Sequence, residues 1–161
     1  MRKLLAIAVI GAALSAGAAQ AQQGDPFDRS LTSKHWNVIG LYGEAPKRAA
    51  FLVDRDSVAV IGTPNVREFS FFVTVEGMAP GDGIMSRMRV VCDEMAVVNL
   101  GKVEYYNGTR KPSPPDSGER VMMTPQSAAY PALQAVCTGD WSATGTIDAP
   151  IEGLQAKVFT S

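Results

Sequence analysis

The spacing of hydrophobic and polar positions changes several times along the chain, and each change marks an element. The sharpest pattern runs from Val66 to Glu76, where Phe69, Phe71, Val73 and Val75 alternate with Glu68, Ser70, Thr74 and Glu76. A period of two is the repeat of a strand, so these four apolar side chains are predicted to share one face. Phe72 falls among the polar residues and predicts some cover on the second face as well. From Ile84 to Cys92, Arg87 and Arg89 alternate with Met88, Val90 and Cys92, which points Cys92 inward with the core residues. Met95 to Leu100 and Lys102 to Tyr106 continue as strand, with Gly101 between them as a bulge. Upstream, His35 to Tyr42 carries Trp36, Val38, Leu41 and Tyr42 and reads as a first strand ending in a turn at Gly43 to Pro46. Ala49 to Val53 and Ser57 to Ile61 flank Asp54-Arg55-Asp56 and are expected to pair as a hairpin, with the aspartates in turn-forming, solvated positions.

The breakers then change character. Asn107 to Gly118 holds an Asn-Gly pair followed by Pro112, Pro114 and Pro115, so it is expected to be an exposed loop that opens with a tight turn. Thr124-Pro125 has the form of an N-cap followed by proline at the first helical position. A helix over Gln126 to Val136 meets Pro131, so it either kinks there or keeps its regular part from about Tyr130 to Cys137, with Gly139 as its stop. In the tail, residues 139–161, the apolar positions Trp141, Ile147, Leu154, Val158 and Phe159 are irregularly spaced, and the segment either adds an edge strand or stays loose. Strands followed by one late helix define an α+β class with a meandering antiparallel sheet.

The N-terminus adds a compartment. Met1-Arg2-Lys3, an apolar run from Leu4 to Leu14, and Ala19-Gln20-Ala21 have the layout of a secretory signal peptide over residues 1–21, with cleavage between Ala21 and Gln22. No cysteine lies near that point, so a bacterial lipid anchor is not expected. Residues 22–33 are polar and aperiodic and read as a flexible leader to a domain over residues 34–138. The 161 residues are 46% hydrophobic and 19% charged, which excludes collagen-like and strongly disordered classes. Fifteen basic against sixteen acidic residues give no electrostatic footprint for nucleic acid. Beyond the signal, no apolar run reaches the roughly 18 residues of a membrane span.

The two cysteines, Cys92 and Cys137, form an even set in a chain expected to be exported, which argues for one disulfide, the alternative being two buried free thiols. No metal site is expected, because the single histidine, His35, cannot complete a zinc set with two distant cysteines. Asp54-x-Asp56 offers too few oxygens for calcium. Nucleophile-elbow, zinc-protease and phosphate-loop motifs are all missing, and His35 stands beside Trp36 with no acid or nucleophile visible in the sequence. No catalytic residue and no cofactor are therefore expected. Arg110 and Lys111 head the proline-stiffened loop and are the candidate partner-binding residues.

Trp36 in a first strand, Phe51-Leu52-Val53-Asp54 followed by Ser57, Val91-Cys92-Asp93, Tyr105-Tyr106-Asn107-Gly108 and a proline-led helix ending at Val136-Cys137 occur in a characteristic order. In that order and spacing the chain from about Lys34 to Cys137 resembles the surface-adhesin protein E family of Gram-negative bacteria. The resemblance implies an antiparallel sheet with a C-terminal helix held by the cysteine pair. In the adhesin members it implies binding to host extracellular-matrix or plasma proteins. The chain departs from a lipidated adhesin in lacking the lipobox cysteine, which favours a periplasmic or freely secreted location. The expectation is an exported, non-catalytic binding module that recognises a protein partner, of host or envelope origin, through its sheet or loop surface. A periplasmic structural or stress protein, or an enzyme with an unrecognised site, are the alternatives.

Overall fold

The computed structural model describes residues 31–113 and 118–160. The signal peptide, the Ala21–Gln22 cleavage point and the leader up to residue 30 lie outside the described residues.

Alternation of side chains builds one antiparallel sheet. Its strands are β1 (His35–Tyr42), β2 (Ala49–Val60), β3 (Val66–Val75), β4 (Gly83–Val91), β5 (Ala96–Tyr106), β6 (Thr109–Ser113), β7 (Arg120–Met122) and β8 (Gly145–Asp148). They lie in the order β6-β5-β4-β3-β2-β1-β8, with β7 also paired to β5. The helix α1 (Tyr130–Thr138) takes the shorter of the two expected forms, with Pro131 in its first turn and Gly139 closing it at φ 78°. A 3-10 turn (Ile151–Gly153) runs into a second short helix, α2 (Leu154–Val158). The fold is thus the α+β arrangement of a meandering sheet with a late helix.

Both sheet faces are covered, each by a different late segment. On one face, Ala132, Leu133 and Val136 of α1 pack on Val53, Phe69, Val90 and Val97. On the other, Ile151, Leu154 and Val158 pack on Trp36, Leu52, Phe72 and Met85. Phe72, the residue out of step in the sequence pattern, is therefore a core residue of this second face. Trp36 is fully buried beside it, with ring centroids 6.0 Å apart, and its indole N–H donates to the Ala149 carbonyl at 3.0 Å. Gly83 makes room for the Phe72 ring, because a Cβ there would lie 2.6 Å from the ring and 2.4 Å from the Val73 carbonyl oxygen. In β5, Gly101 follows a bulge at Leu100, and its N–H is taken by the Asn99 side chain at 2.8 Å.

Three expectations are corrected. The segment Asp54-Arg55-Asp56 is not a hairpin turn: β2 runs through it as one strand whose register against β3 shifts between Asp54 and Ala59. Asp54 is fully buried, accepting from the Ser33 hydroxyl at 2.7 Å and from the Asp56 N–H at 3.0 Å. The Ser57 hydroxyl donates to the Asp54 carbonyl and accepts from the Ser70 N–H, both at 2.7 Å, so these polar side chains satisfy the backbone of a bulge instead of closing a turn. Ser33, assigned to the leader for its polarity, is consequently buried. Finally, the proline-rich loop gives up its first half to β6, after an Asn107-Gly108 turn with both φ angles positive, 48° and 72°.

Cys92 and Cys137 are joined, with Cα atoms 5.6 Å apart, tying the residue after β4 to the end of α1. Replacing either cysteine by serine should cost about 2 to 5 kcal/mol in urea unfolding. Thiol titration of the unfolded, unreduced protein should find no free thiol, and two reactive thiols would contradict the bond.

Glu68 lies on the Phe72 face with its carboxylate buried between two arginines, the Nε atoms of Arg87 and Arg89 each 2.9 Å away. Burial pushes the carboxyl up, but the hydrogen bonds and charges of Arg89 and Arg87 together hold it below the ordinary glutamate value of 4.5. A depressed folded value means stability that is present above pH 4.5 and lost as pH falls through the folded value. Glu68→Gln should therefore cost about 2 kcal/mol at neutral pH. In unfolding curves at decreasing pH, the gap between variant and parent should close in the acid range.

Candidate functional site

The helix that covers the first face is too short to cover all of it. Nine residues of α1 span about 14 Å, whereas the ten residues of β3 span about 33 Å. Phe71 still packs against the core under this cover, and with it Tyr42, Phe51, Val73 and Ile84 lie on one surface of four adjacent strands. The register sets the row: Phe51 stands opposite Val73, and Val73 opposite Ile84. Tyr42 meets Phe51 edge-on at 4.9 Å and 84°, and Phe51 meets Phe71 at 5.9 Å. Gly40 makes the first contact possible, since a Cβ there would stand 3.0 to 3.2 Å from the Tyr42 ring and hydroxyl. Tyr42 is 41% and Ile84 39% exposed, so the row is open to solvent at both ends of its width. An ordered apolar row of this kind on a sheet face is the type of surface that protein contacts use.

Arg110 and Lys111 fall at the edge of this surface, in β6, and strand alternation separates them. Lys111 is opposite Glu104, which is itself opposite Ile84, so Lys111 and Glu104 extend the row as a charged border. Arg110 is opposite Tyr105, on the other face. The structure thus divides the pair that the sequence placed together. The aromatic row itself escaped the sequence reading, because Phe51, Phe71, Val73 and Ile84 alternate as any core residues do.

A second group gathers at the other end of β1. His35 lacked a partner in the sequence and has one in space: its Nδ1 lies 2.9 and 3.0 Å from the two carboxylate oxygens of Asp56. The same carboxylate accepts the N–H groups of Lys34 at 3.1 Å and His35 at 3.3 Å. Partial burial raises the Asp56 carboxyl, and the bonds from His35 and Lys34 outweigh that effect, leaving it below its ordinary value. Arg55 and Trp141 join this pair to line an open cleft, with the Arg55 guanidinium 5.3 Å above the Trp141 ring. The four residues supply no hydroxyl or thiol nucleophile. Among the described residues, no group of three or more His, Cys, Asp or Glu side chains is arranged to hold a metal.

The class defined by this fold is a disulfide-linked antiparallel sheet with a late helix on one face. Among solved structures, the chain is similar to Haemophilus influenzae protein E. For the selenomethionine form the identity is 18% and the TM-score 0.44, covering 58% of this chain and 82% of the other. For a second crystal form the identity is 17% and the TM-score 0.44, covering 63% and 87%. No family model matches the chain, and no curated protein does.

The open and covered parts of the sheet should respond differently to truncation. Tyr42→Ala should cost about 1 kcal/mol, the size of an edge-on aromatic contact at a half-exposed site. Phe72→Ala, under the second cover, should cost about 3 to 5 kcal/mol. Urea unfolding measures both, and equal costs would mean that the Tyr42 end is covered as well.

Proposed function

We propose that this chain is an exported, non-catalytic binding module of the bacterial envelope that holds a protein partner on the open half of its sheet. The observation that carries the reading is the row from Tyr42 through Phe51 and Phe71 to Ile84, with Tyr42, Phe51 and Phe71 in ring contact, the two phenylalanines half-buried, and Tyr42 and Ile84 exposed at its ends. A preformed apolar surface binds without first ordering its side chains, which removes one of the main costs of association. Lys111 and Glu104 give that surface a charged rim, and Arg110 acts from the opposite face. The Cys92–Cys137 bond suits an oxidising compartment. Among the described residues, no helix is long and apolar enough to cross a membrane. Residues 1–21 direct export and are removed in the process, so N-terminal sequencing of the exported protein should find Gln22 first. The partner is a host extracellular-matrix or plasma protein, or another protein of the envelope.

Immobilised protein should retain a partner from a panel of matrix and plasma proteins or from envelope extract. Tyr42→Ser combined with Ile84→Lys should weaken that retention by about thirtyfold or more, the loss of roughly 2 kcal/mol expected for central contact residues. Lys111→Ala should weaken it less, and Arg110→Ala least. Because both basic residues are exposed, each substitution should shift stability by less than about 0.5 kcal/mol. Undiminished retention by the Tyr42 and Ile84 variant would remove the row from the account. Turnover of any substrate, abolished by His35→Ala, would overturn the non-catalytic reading.

A further inference from the structure

Arg55 differs from five other arginines in what its guanidinium meets. Arg48 is paired with Glu76, Arg87 and Arg89 with Glu68, and Arg120 with Glu94, while Arg67 donates to the Pro64 carbonyl. Arg55 stands at the β2 bulge against the Trp141 ring, with neither a carboxylate nor a carbonyl as partner among the described residues. Stacking on an indole fixes a guanidinium through its face and leaves its donor edge free. That edge belongs to the lining of a cleft of about 290 Å³ shared with His35, Asp56 and Trp141. Asp56 does not compete for it, because its oxygens are occupied by His35 Nδ1 and by the N–H groups of Lys34 and His35. The same contact orients the imidazole, leaving Nε2 as its second polar atom.

We propose that the cleft between β1, β2 and Trp141 binds a carboxylate group. Arg55 supplies a two-pronged donor fork matched to the two carboxylate oxygens, and the Trp141 ring beside it limits the freedom of that fork. Nε2 of His35 adds a further donor when the ring is protonated. This inference is independent of the aromatic row, which shares no residue with the cleft.

Titration followed by proton–nitrogen NMR tests it, using the folded protein at about pH 6, where acetate is ionised, and at constant ionic strength. Acetate should shift the Trp141 indole N–H and the Arg55 and His35 amides saturably, and the aromatic row should stay unmoved. Arg55→Lys keeps the charge but loses the fork and the stack, and should bind acetate about tenfold more weakly, the equivalent of one charge-assisted bond. N-acetylglutamate amide is titrated beside acetate: tighter binding of the amide assigns the site to acidic side chains of a protein, and tighter binding of acetate to free small acids. Equal shifts with chloride, tighter binding of inorganic phosphate, or unchanged acetate affinity in a well-folded Arg55→Lys variant would each overturn the proposal.

Discussion

An eight-stranded sheet has two faces to take out of water, and the helices of the described part beyond the first strand, of nine and five residues, are short for the task. The shortage of cover governs the rest of the structure. The cover is divided, with α1 on Val53, Phe69, Val90 and Val97 and the C-terminal turn and helix on Trp36, Leu52, Phe72 and Met85. Each cover is then fastened by a bond that does not depend on area. The disulfide from Cys92 holds the end of α1, and the Trp36 indole N–H holds the chain at Ala149 ahead of the C-terminal turn. What two short covers leave bare is either neutralised or presented. On the Phe72 face the uncovered strands carry Glu68, Arg87 and Arg89, which satisfy one another. On the α1 face they carry Tyr42, Phe51, Phe71 and Ile84, of which Tyr42 and Ile84 are exposed.

Strand alternation is local, and for that reason most of the sheet could be read from the sequence. Phe69 to Val75 fixed the face, Gly101 its bulge, and Pro131 with Gly139 the limits of the helix. Asp54 and Asp56 show where such reading stops. Both belong to residue types that favour turns, but their partners Ser33 and His35 come from a segment about twenty residues earlier, and those bonds convert a turn into a bulge. Pro112 misled in a comparable way. Proline excludes a central strand but not an edge strand, and β6 is an edge. Which part of an alternating strand remains exposed depends on where a helix sixty residues later comes to rest, and no pattern within the strand records that.

The candidate sites inherit this division between local and distant signals. Lys111 was found by its charge beside a breaker-rich segment, and its place beside Glu104 on the aromatic face comes from strand pairing. His35 lacked an acid within sequence reach and gained one through the β1–β2 contact. Arg55, hidden between two aspartates, meets the ring of Trp141, which enters from beyond α1. In each case the chemistry was present in the sequence and the geometry was supplied by the sheet.

Hydroxyl-radical footprinting of the free protein tests most directly the claim that the divided cover leaves one aromatic half-face open. The account predicts fast oxidation of Tyr42 and Ile84, intermediate rates for Phe51 and Phe71, and protection of Trp36, Phe72 and Leu154. Protection of Tyr42 and Ile84 to the level of Trp36 would contradict it, since that face would then be closed in the free protein and could not receive a partner as it stands.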